Sequence, residues 1–217
     1  PAVGTEALGL MIEQLASVGA RSWETWECPA PMLPFWPGKR QATRVVDLAR
    51  SPSDRWADIR RSYHALIHKA QREYEIVVGA TDALGRGYIA AHRAAGGSRA
   101  SGTYAWQLEW LKNGLGLVAC AFEKGARPET YPTPVAASYA IVDRLWAYYA
   151  SGPATVKNVQ HALQWELMQA LAERGVRSYE LGYLPENPTP KEKSIAVFKR
   201  GFGGQDWFYA VRKESIG

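Results

Sequence analysis

The stretch Ser194-Ile-Ala-Val-Phe-Lys-Arg-Gly-Phe-Gly-Gly204 decides how this chain is read. Its spacing predicts a helix over residues 191–200, a stop at Gly201 and a strand over residues 207–211. Lys199 and Arg200 fall in the last helical turn, where cations suit the helix macrodipole. Gly201 is expected to supply the left-handed residue that ends the helix. Phe198 and Phe202 are four apart, so they share a face and anchor the segment in a core. A cation then stands at the edge of an apolar wall. The same pattern also fits an ordinary capped helix with solvated Lys and Arg.

Working outward, residues 155–204 read as strand end, helix, glycine stop, short strand, turn, helix, glycine-rich stop and strand. The helix is predicted over 156–174, with Val159, Leu163, Leu167 and Leu171 inward. Before it, apolar runs at 115–122, 135–141 and 145–150 predict an antiparallel meander, the last two joined by a tight turn at 142–144. This order implies an α/β (α+β) fold: a mixed sheet with helices on both faces. Helix 156–174 should lie between strands 145–150 and 176–183.

In the N-terminal half, residues 4–20 read as a helix capped by Thr5, and 21–28 as a strand. Residues 29–38 form a loop, because four prolines forbid a ladder. A strand follows over 43–48. Ser53 is then expected to cap one long helix to about residue 74, with Trp56, Ile59, Tyr63, Leu66, Ile67 and Ala70 on its buried side. Its other side is basic: Arg55, Arg60, Arg61, Lys69 and Arg72. A strand at 75–78, a helix at 81–95 and a helix at 104–112 capped by Thr103 complete the chain.

Composition narrows the class of function. The chain has 217 residues, 47% of them hydrophobic, enough for a sizeable core. A net charge of +5 favours an anionic partner such as nucleotide phosphates, RNA or a membrane face. Nine Trp and eleven Tyr suit aromatic-lined pockets as well as a core. Cys28 and Cys120 form no spacing motif, which suits free thiols in a reducing compartment. No apolar run approaches the roughly 20 residues of a membrane span, and no signal peptide is visible. The expected location is the cytoplasm. His64 and His68 share a helical face but lack a third ligand, so no metal site is expected. The run Gly201-x-Gly203-Gly204 is too short for a dinucleotide fingerprint.

Several of these segments together resemble the FemAB family of aminoacyl and acyl transferases, which are built on the acetyltransferase-like (GNAT) fold. The resemblance rests on Ala150-Ser-Gly152, helix 158–175, Tyr179-Glu-Leu-Gly182, Lys191-Glu-Lys193 and above all Phe198-Lys-Arg-Gly-Phe-Gly-Gly204. It extends from about residue 43 to 211. It implies a transferase domain over residues 43–217, with 1–42 as the tail of a first GNAT-like subdomain. It also implies an enzyme that forms an amide bond between an activated acyl donor and an amine acceptor. The donor is a co-substrate, aminoacyl-tRNA or acyl-CoA, and no tightly bound cofactor is implied.

In such transferases the lysine of the Phe-Lys pair is tied to stabilising the transition state, a role that falls here on Phe198 and Lys199. Arg61 and Lys69 are candidates for phosphate contacts with charged tRNA. Tyr148, Tyr149 and Tyr183 are candidates for lining the acceptor site, and Glu180 and Asp143 are candidate bases. Two alternatives stay open. One is an acyl-CoA-dependent N-acetyltransferase, although Ser151-Gly-Pro-Ala-Thr-Val-Lys157 is a poor pyrophosphate cradle with one Gly and a Pro that lacks an N–H. The other is a non-catalytic basic domain that binds nucleic acid.

Overall fold

The apolar stripe Val159, Leu163, Leu167, Leu171 seats a helix against a sheet, and the chain folds around that contact. A computed structural model describes residues 22–27, 39–125 and 133–215, with backbone only at 22–27, 39–40 and 210–215. The helix expected over 4–20 and the proline loop lie outside the described residues. In chain order the strands are β1 (Ser22–Glu27), β2 (Lys39–Asp47), β3 (Tyr74–Gly79), β4 (Gly116–Glu123), β5 (Ala136–Asp143), β6 (Trp146–Ser151), β7 (Ser178–Leu184) and β8 (Gln205–Ser215). The helices are α1 (Pro52–Asp58), α2 (Arg61–Glu73), α3 (Asp82–Ala94), α4 (Ser101–Lys112), α5 (Gln160–Glu173) and α6 (Pro190–Arg200).

One eight-stranded sheet runs in the order β1-β8-β2-β7-β6-β5-β4-β3. Strands β4 to β6 form the expected antiparallel meander, and β3 adds to it antiparallel beside β4. Helix α5 carries the chain from β6 back to β7, and a crossover of that kind makes the two strands parallel. β2 starts at Lys39 and pairs with β7 and β8, and β1 pairs with β8, so residues 22–27 and 39–42 share this sheet.

Helices cover both faces, as β4 shows by alternation. Leu117, Ala119 and Ala121 pack with α2 and α5, among Ile67, Leu163, Leu167 and Leu171. Val118, Cys120 and Phe122 pack on the other side with Leu84, Tyr88 and Leu111 from α3 and α4. Leu163, Leu167, Met168 and Leu171 are wholly buried, each worth roughly 1.5–3 kcal/mol.

Tertiary contacts redraw several local expectations. The long helix of 53–74 is two helices. Ser51, not Ser53, caps α1 by accepting from the Asp54 N–H, with Pro52 in the first turn. Ile59 is extended, and the Arg60 N–H leaves the helix to donate to Gly201 O at 2.8 Å. Arg55 belongs to the buried side: its guanidinium donates to Leu48 O at 2.8 Å and to Gln169 Oε1. α4 begins at Ser101 after Ala100, so Thr103 is not its cap. The β5–β6 turn lies at Arg144 and Leu145, with Arg144 at φ 46°. α5 starts at Gln160, because residues 154 and 155 are drawn to the sheet, the Thr155 N–H donating to Val135 O.

The turn after α6 also differs from its expectation. Gly201 stays right-handed at φ −67°, and Gly203 and Gly204 take the left-handed conformation instead. A Cβ on Gly204 would lie 2.1 Å from Val45 O, so β8 leaves this turn directly against β2. The turn is held by Arg44, which donates to Gly203 O at 2.7 Å and pairs with Asp206 at 2.8 Å, and by Arg200 on the same carboxylate at 2.9 Å. Gly204→Ala should therefore cost at least about 3 kcal/mol, left-handed strain plus overlap. Gly175→Ala, equally left-handed but with open space beyond its Cα, should cost about 1 kcal/mol. Urea unfolding compares the two, and equal losses would mean that the contact at Val45 yields freely.

Candidate active site

β6 and β7 begin as neighbours and then separate. They pair only at Trp146↔Ser178, Ala147↔Tyr179 and Tyr148↔Glu180. Beyond that, each strand slips in register against its outer neighbour. On β6 the shift lies opposite Tyr139 and Ala140; on β7 it lies opposite Arg44 and Val45. Gly182 makes the second irregularity possible, because it sits at φ +83°. The gap is a cleft of about 500 Å³. Its walls are Tyr148 and Tyr149 from β6, Leu181 and Tyr183 from β7, and Ile195, Phe198 and Lys199 from α6.

Lys199 is the cation of this cleft among the described residues. A capping box starts its helix, with Thr189 accepting from the Glu192 N–H while the Glu192 carboxylate accepts from the Thr189 N–H. At the other end Phe198 packs edge-on to Phe202 at 5.1 Å and to His161 at 5.2 Å, with Tyr63 behind them. Phe202 is wholly buried, so the last turn of α6 is fixed by aromatic packing. The Lys199 ammonium donates to Tyr183 O at 2.7 Å. Burial pulls its pKa from 10.5 down to about 8, with Glu180 acting in the opposite direction. Gly182 leaves the room: a Cβ there would stand 3.2 Å from the Tyr148 hydroxyl and 3.5 Å from Lys199 Nζ.

The two tyrosines of β6 present neutral hydroxyls. Burial raises the Tyr148 phenol, and Glu180 adds to the effect. Burial likewise raises Tyr149. Under the cleft floor a buried chain runs from the Tyr179 hydroxyl to Gln164 Oε1 at 2.7 Å, from Gln164 Nε2 to Ser138 Oγ at 3.2 Å, and from Ser138 Oγ to Gln160 Oε1 at 2.6 Å. Gln160 also donates to Ala137 O and Pro153 O, both at 2.9 Å, and so pins the residues before α5 to the sheet. Neither glutamine was singled out from sequence. Their signal was two glutamines four apart on the helical face of Leu163 and Leu167.

The other candidates are dispersed. Glu180 is buried, and its carboxylate accepts from Thr43 Oγ1 at 2.7 Å, Tyr209 Oη at 3.2 Å and Trp146 Nε1 at 3.3 Å. It does not line the cleft. Asp143 is exposed at the β5–β6 hairpin, the far end of β6 from the cleft. Arg61 and Lys69 are exposed on α2 and do not line the cleft; Lys69 lies 3.8 Å from Glu73. His64 stacks on Trp56 at 4.3 Å and its Nε2 lies 3.1 Å from Trp56 O. Among the described residues no group of three His, Cys, Asp or Glu could hold a metal ion, and no helix is long and apolar enough to cross a membrane. Cys120 is buried with its thiol pushed up to about 12.

No family model matches this chain, and no curated protein sequence matches it. Solved structures do match, over nearly all of it. FemX aligns with 98% of this chain and 69% of its own, at 10% identity and a TM-score of 0.60. The structure of L-PGS from Bacillus licheniformis aligns with 94% of this chain and 71% of its own, at 11% identity and a TM-score of 0.59. A tandem GNAT protein from the clavulanic acid biosynthesis pathway aligns with 99% of this chain and 70% of its own, at 14% identity and a TM-score of 0.50. The likeness at such identities is one of fold: the mixed sheet with helices on both faces is shared with FemX, L-PGS and the tandem GNAT protein.

The burial of Lys199 has a pH signature. A lysine near 8 in the folded chain and near 10.5 unfolded gives up its proton earlier when folded. Between those values the unfolded chain binds more protons, so folding stability rises with pH across the window. Wild type should therefore gain stability relative to Lys199→Met between pH 8 and 10.5. Urea unfolding at a series of pH values measures this, and parallel curves would mean a solvated Lys199.

Proposed function

We propose that this chain is an acyltransferase that forms an amide bond, with aminoacyl-tRNA as the donor. The observation that carries this reading is the Lys199 ammonium, desolvated and tied to Tyr183 O where β6 and β7 part. A fixed cation in a water-poor cleft stabilises charge that develops during reaction. The acceptor nitrogen attacks the acyl carbon, and the carbonyl pair moves onto oxygen. Lys199 donates to that oxyanion. Collapse restores the carbonyl and breaks the bond to the tRNA ribose oxygen. The proton lost by nitrogen goes to the departing oxygen. Phe198 holds Lys199 in place, and Tyr148, Tyr149 and Tyr183 line the cleft in which acceptor and acyl group meet. Glu180 or Asp143 would serve as base only through intervening water, since neither lines the cleft.

The choice of donor is supported by the residues before α5. An acyl-CoA pyrophosphate needs free backbone N–H groups at a helix start. Here Pro153 has no N–H, and the Thr155 N–H is spent on Val135 O. An aminoacyl-tRNA donor does not need that cradle. Its phosphates would meet Arg61 and Lys69 on α2. In this reading residues 43–217 carry the transfer site, 1–42 are the tail of a first subdomain, and the reaction belongs in the cytoplasm, where charged tRNA is found.

Transfer from charged tRNA to an amine, run beside the same assay with acetyl-CoA, tests the donor. Transfer from acetyl-CoA alone would make the chain an N-acetyltransferase. Salt-sensitive binding of any RNA without transfer would make it a nucleic-acid-binding domain.

Lys199→Ala should lower kcat by roughly 100- to 1000-fold with little change in KM, the loss expected for one oxyanion donor. Lys199→Arg should recover activity in part, because a planar fork replaces a compact ammonium. Arg200→Ala, altering a residue paired with Asp206, should be near normal. Because the cation is the working form, kcat should fall as pH rises through about 8. Full activity in Lys199→Ala, or a rise through pH 8, would remove Lys199 from this role.

Arg61→Ala and Lys69→Ala should weaken charged-tRNA binding, and more so at low salt, where surface charge is least screened. Unchanged affinity at low salt would leave α2 as a solvated face.

A further inference from the structure

We propose that the group seated between β6 and β7 is an uncharged, apolar or aromatic acyl side chain, and that the cleft rejects cationic ones. This rests on the transferase reading and names the class of substrate for the same site. The walls are apolar carbon and neutral hydroxyl. Leu181 is wholly buried at the floor, Phe198 is half-buried in its aromatic cluster, and Ile195 is 40% exposed at the mouth. Tyr148 and Tyr149 add ring faces and remain protonated phenols at any ordinary pH, since burial raises both.

Lys199 and Glu192 are the ionisable acid and base that line the cleft besides the tyrosines, among the described residues. The Glu192 carboxylate is engaged through one oxygen, Oε2, which accepts from the Thr189 N–H at 2.8 Å and the Thr189 hydroxyl at 2.7 Å. Glu180, the nearest buried carboxylate to Lys199 by its electrostatic effect, has donors on both oxygens and does not line the cleft. A lysyl or arginyl side chain would enter beside the Lys199 ammonium, two helical turns from the Glu192 carboxylate that caps the same helix. It would lose its hydration and gain repulsion. An anionic side chain would reach Lys199 only by giving up its water and burying its charge against Tyr and Leu carbons. An apolar side chain meets neither cost and removes its own surface from water. About 500 Å³ falls within the range of small-molecule sites and leaves room for an aromatic side chain with the acceptor amine beside it.

Soluble analogues test this without turnover. N-acetyl amides of phenylalanine, leucine, lysine and glutamate are titrated into the full chain while the Ile195 methyl and Gly182 amide resonances are followed by NMR. The phenylalanine and leucine amides should bind about 10-fold tighter than the lysine and glutamate amides, the factor that one buried aliphatic group provides. Ile195→Glu places a carboxylate at the mouth from a half-exposed helical position that tolerates it. It should weaken the leucine amide and bring the lysine amide to the front.

A flat ranking, a lysine or glutamate preference in wild type, no shift at Ile195 or Gly182 with any amide, or an unaltered ranking in Ile195→Glu would each overturn the proposal. Its failure is separable from that of the transferase reading. Lys199-dependent transfer with a flat ranking defeats only the side-chain class. An apolar ranking with Lys199-independent transfer defeats only the mechanism.

Discussion

Everything at the cleft depends on how little β6 and β7 share. Parallel strands must be joined by a crossover, and α5 supplies it by burying Leu163, Leu167, Met168 and Leu171 against the sheet. That contact holds the two strands together at one end. At the other end each strand is drawn outward, β6 by β5 and β7 by β2, with a register slip on each side. Three paired residues then give way to open space. Backbone groups freed in such a gap need partners, and the Tyr183 carbonyl finds one in the Lys199 ammonium.

The polar groups around the gap are satisfied in two separate ways. On the α5 side the Tyr179, Gln164, Ser138 and Gln160 chain saturates buried amides and hydroxyls, so the floor is rigid without bearing charge. Around Glu180, three neutral donors from β2, β6 and β8 hold a carboxylate that would otherwise be costly to bury. Its field reaches Lys199 and Tyr148 and moves both pKa values upward. The ammonium is kept charged against desolvation, and the phenol is kept neutral. One carboxylate thus favours the donor form of both groups that converge on Gly182.

The arginines near the cleft serve other ends. Arg44 and Arg200 converge on Asp206 and brace the Gly203–Gly204 turn. Burial works to raise the Asp206 carboxyl, but its bonds to the two guanidinium groups prevail and hold it below the usual range. Arg55 ties α1 to the end of β2 and to α5. With these cations committed to structure, Lys199 is the cation that faces the cleft among the described residues.

The features legible from sequence were those set by neighbours along the chain. The Phe198–Phe202 pair, the apolar run of β4 and the Leu stripe of α5 each follow from residues within a few positions of one another, whose geometry is common to helices and strands. The mixed sheet with helices on both faces followed from their order. Other features come from partners far away in the chain. The helix break at Ile59 depends on Gly201 O, more than 140 residues later, and no local signal marks it. The left-handed step moved from Gly201 to Gly203 and Gly204 because β8 must close against Val45. Arg55 looked like part of a basic face until Leu48 and Gln169 enclosed it. Lys199 could be named as a cation from sequence alone. Its desolvation could not, because that is made by β6, β7 and α6 together, and burial is a property of the assembled elements rather than of any one of them.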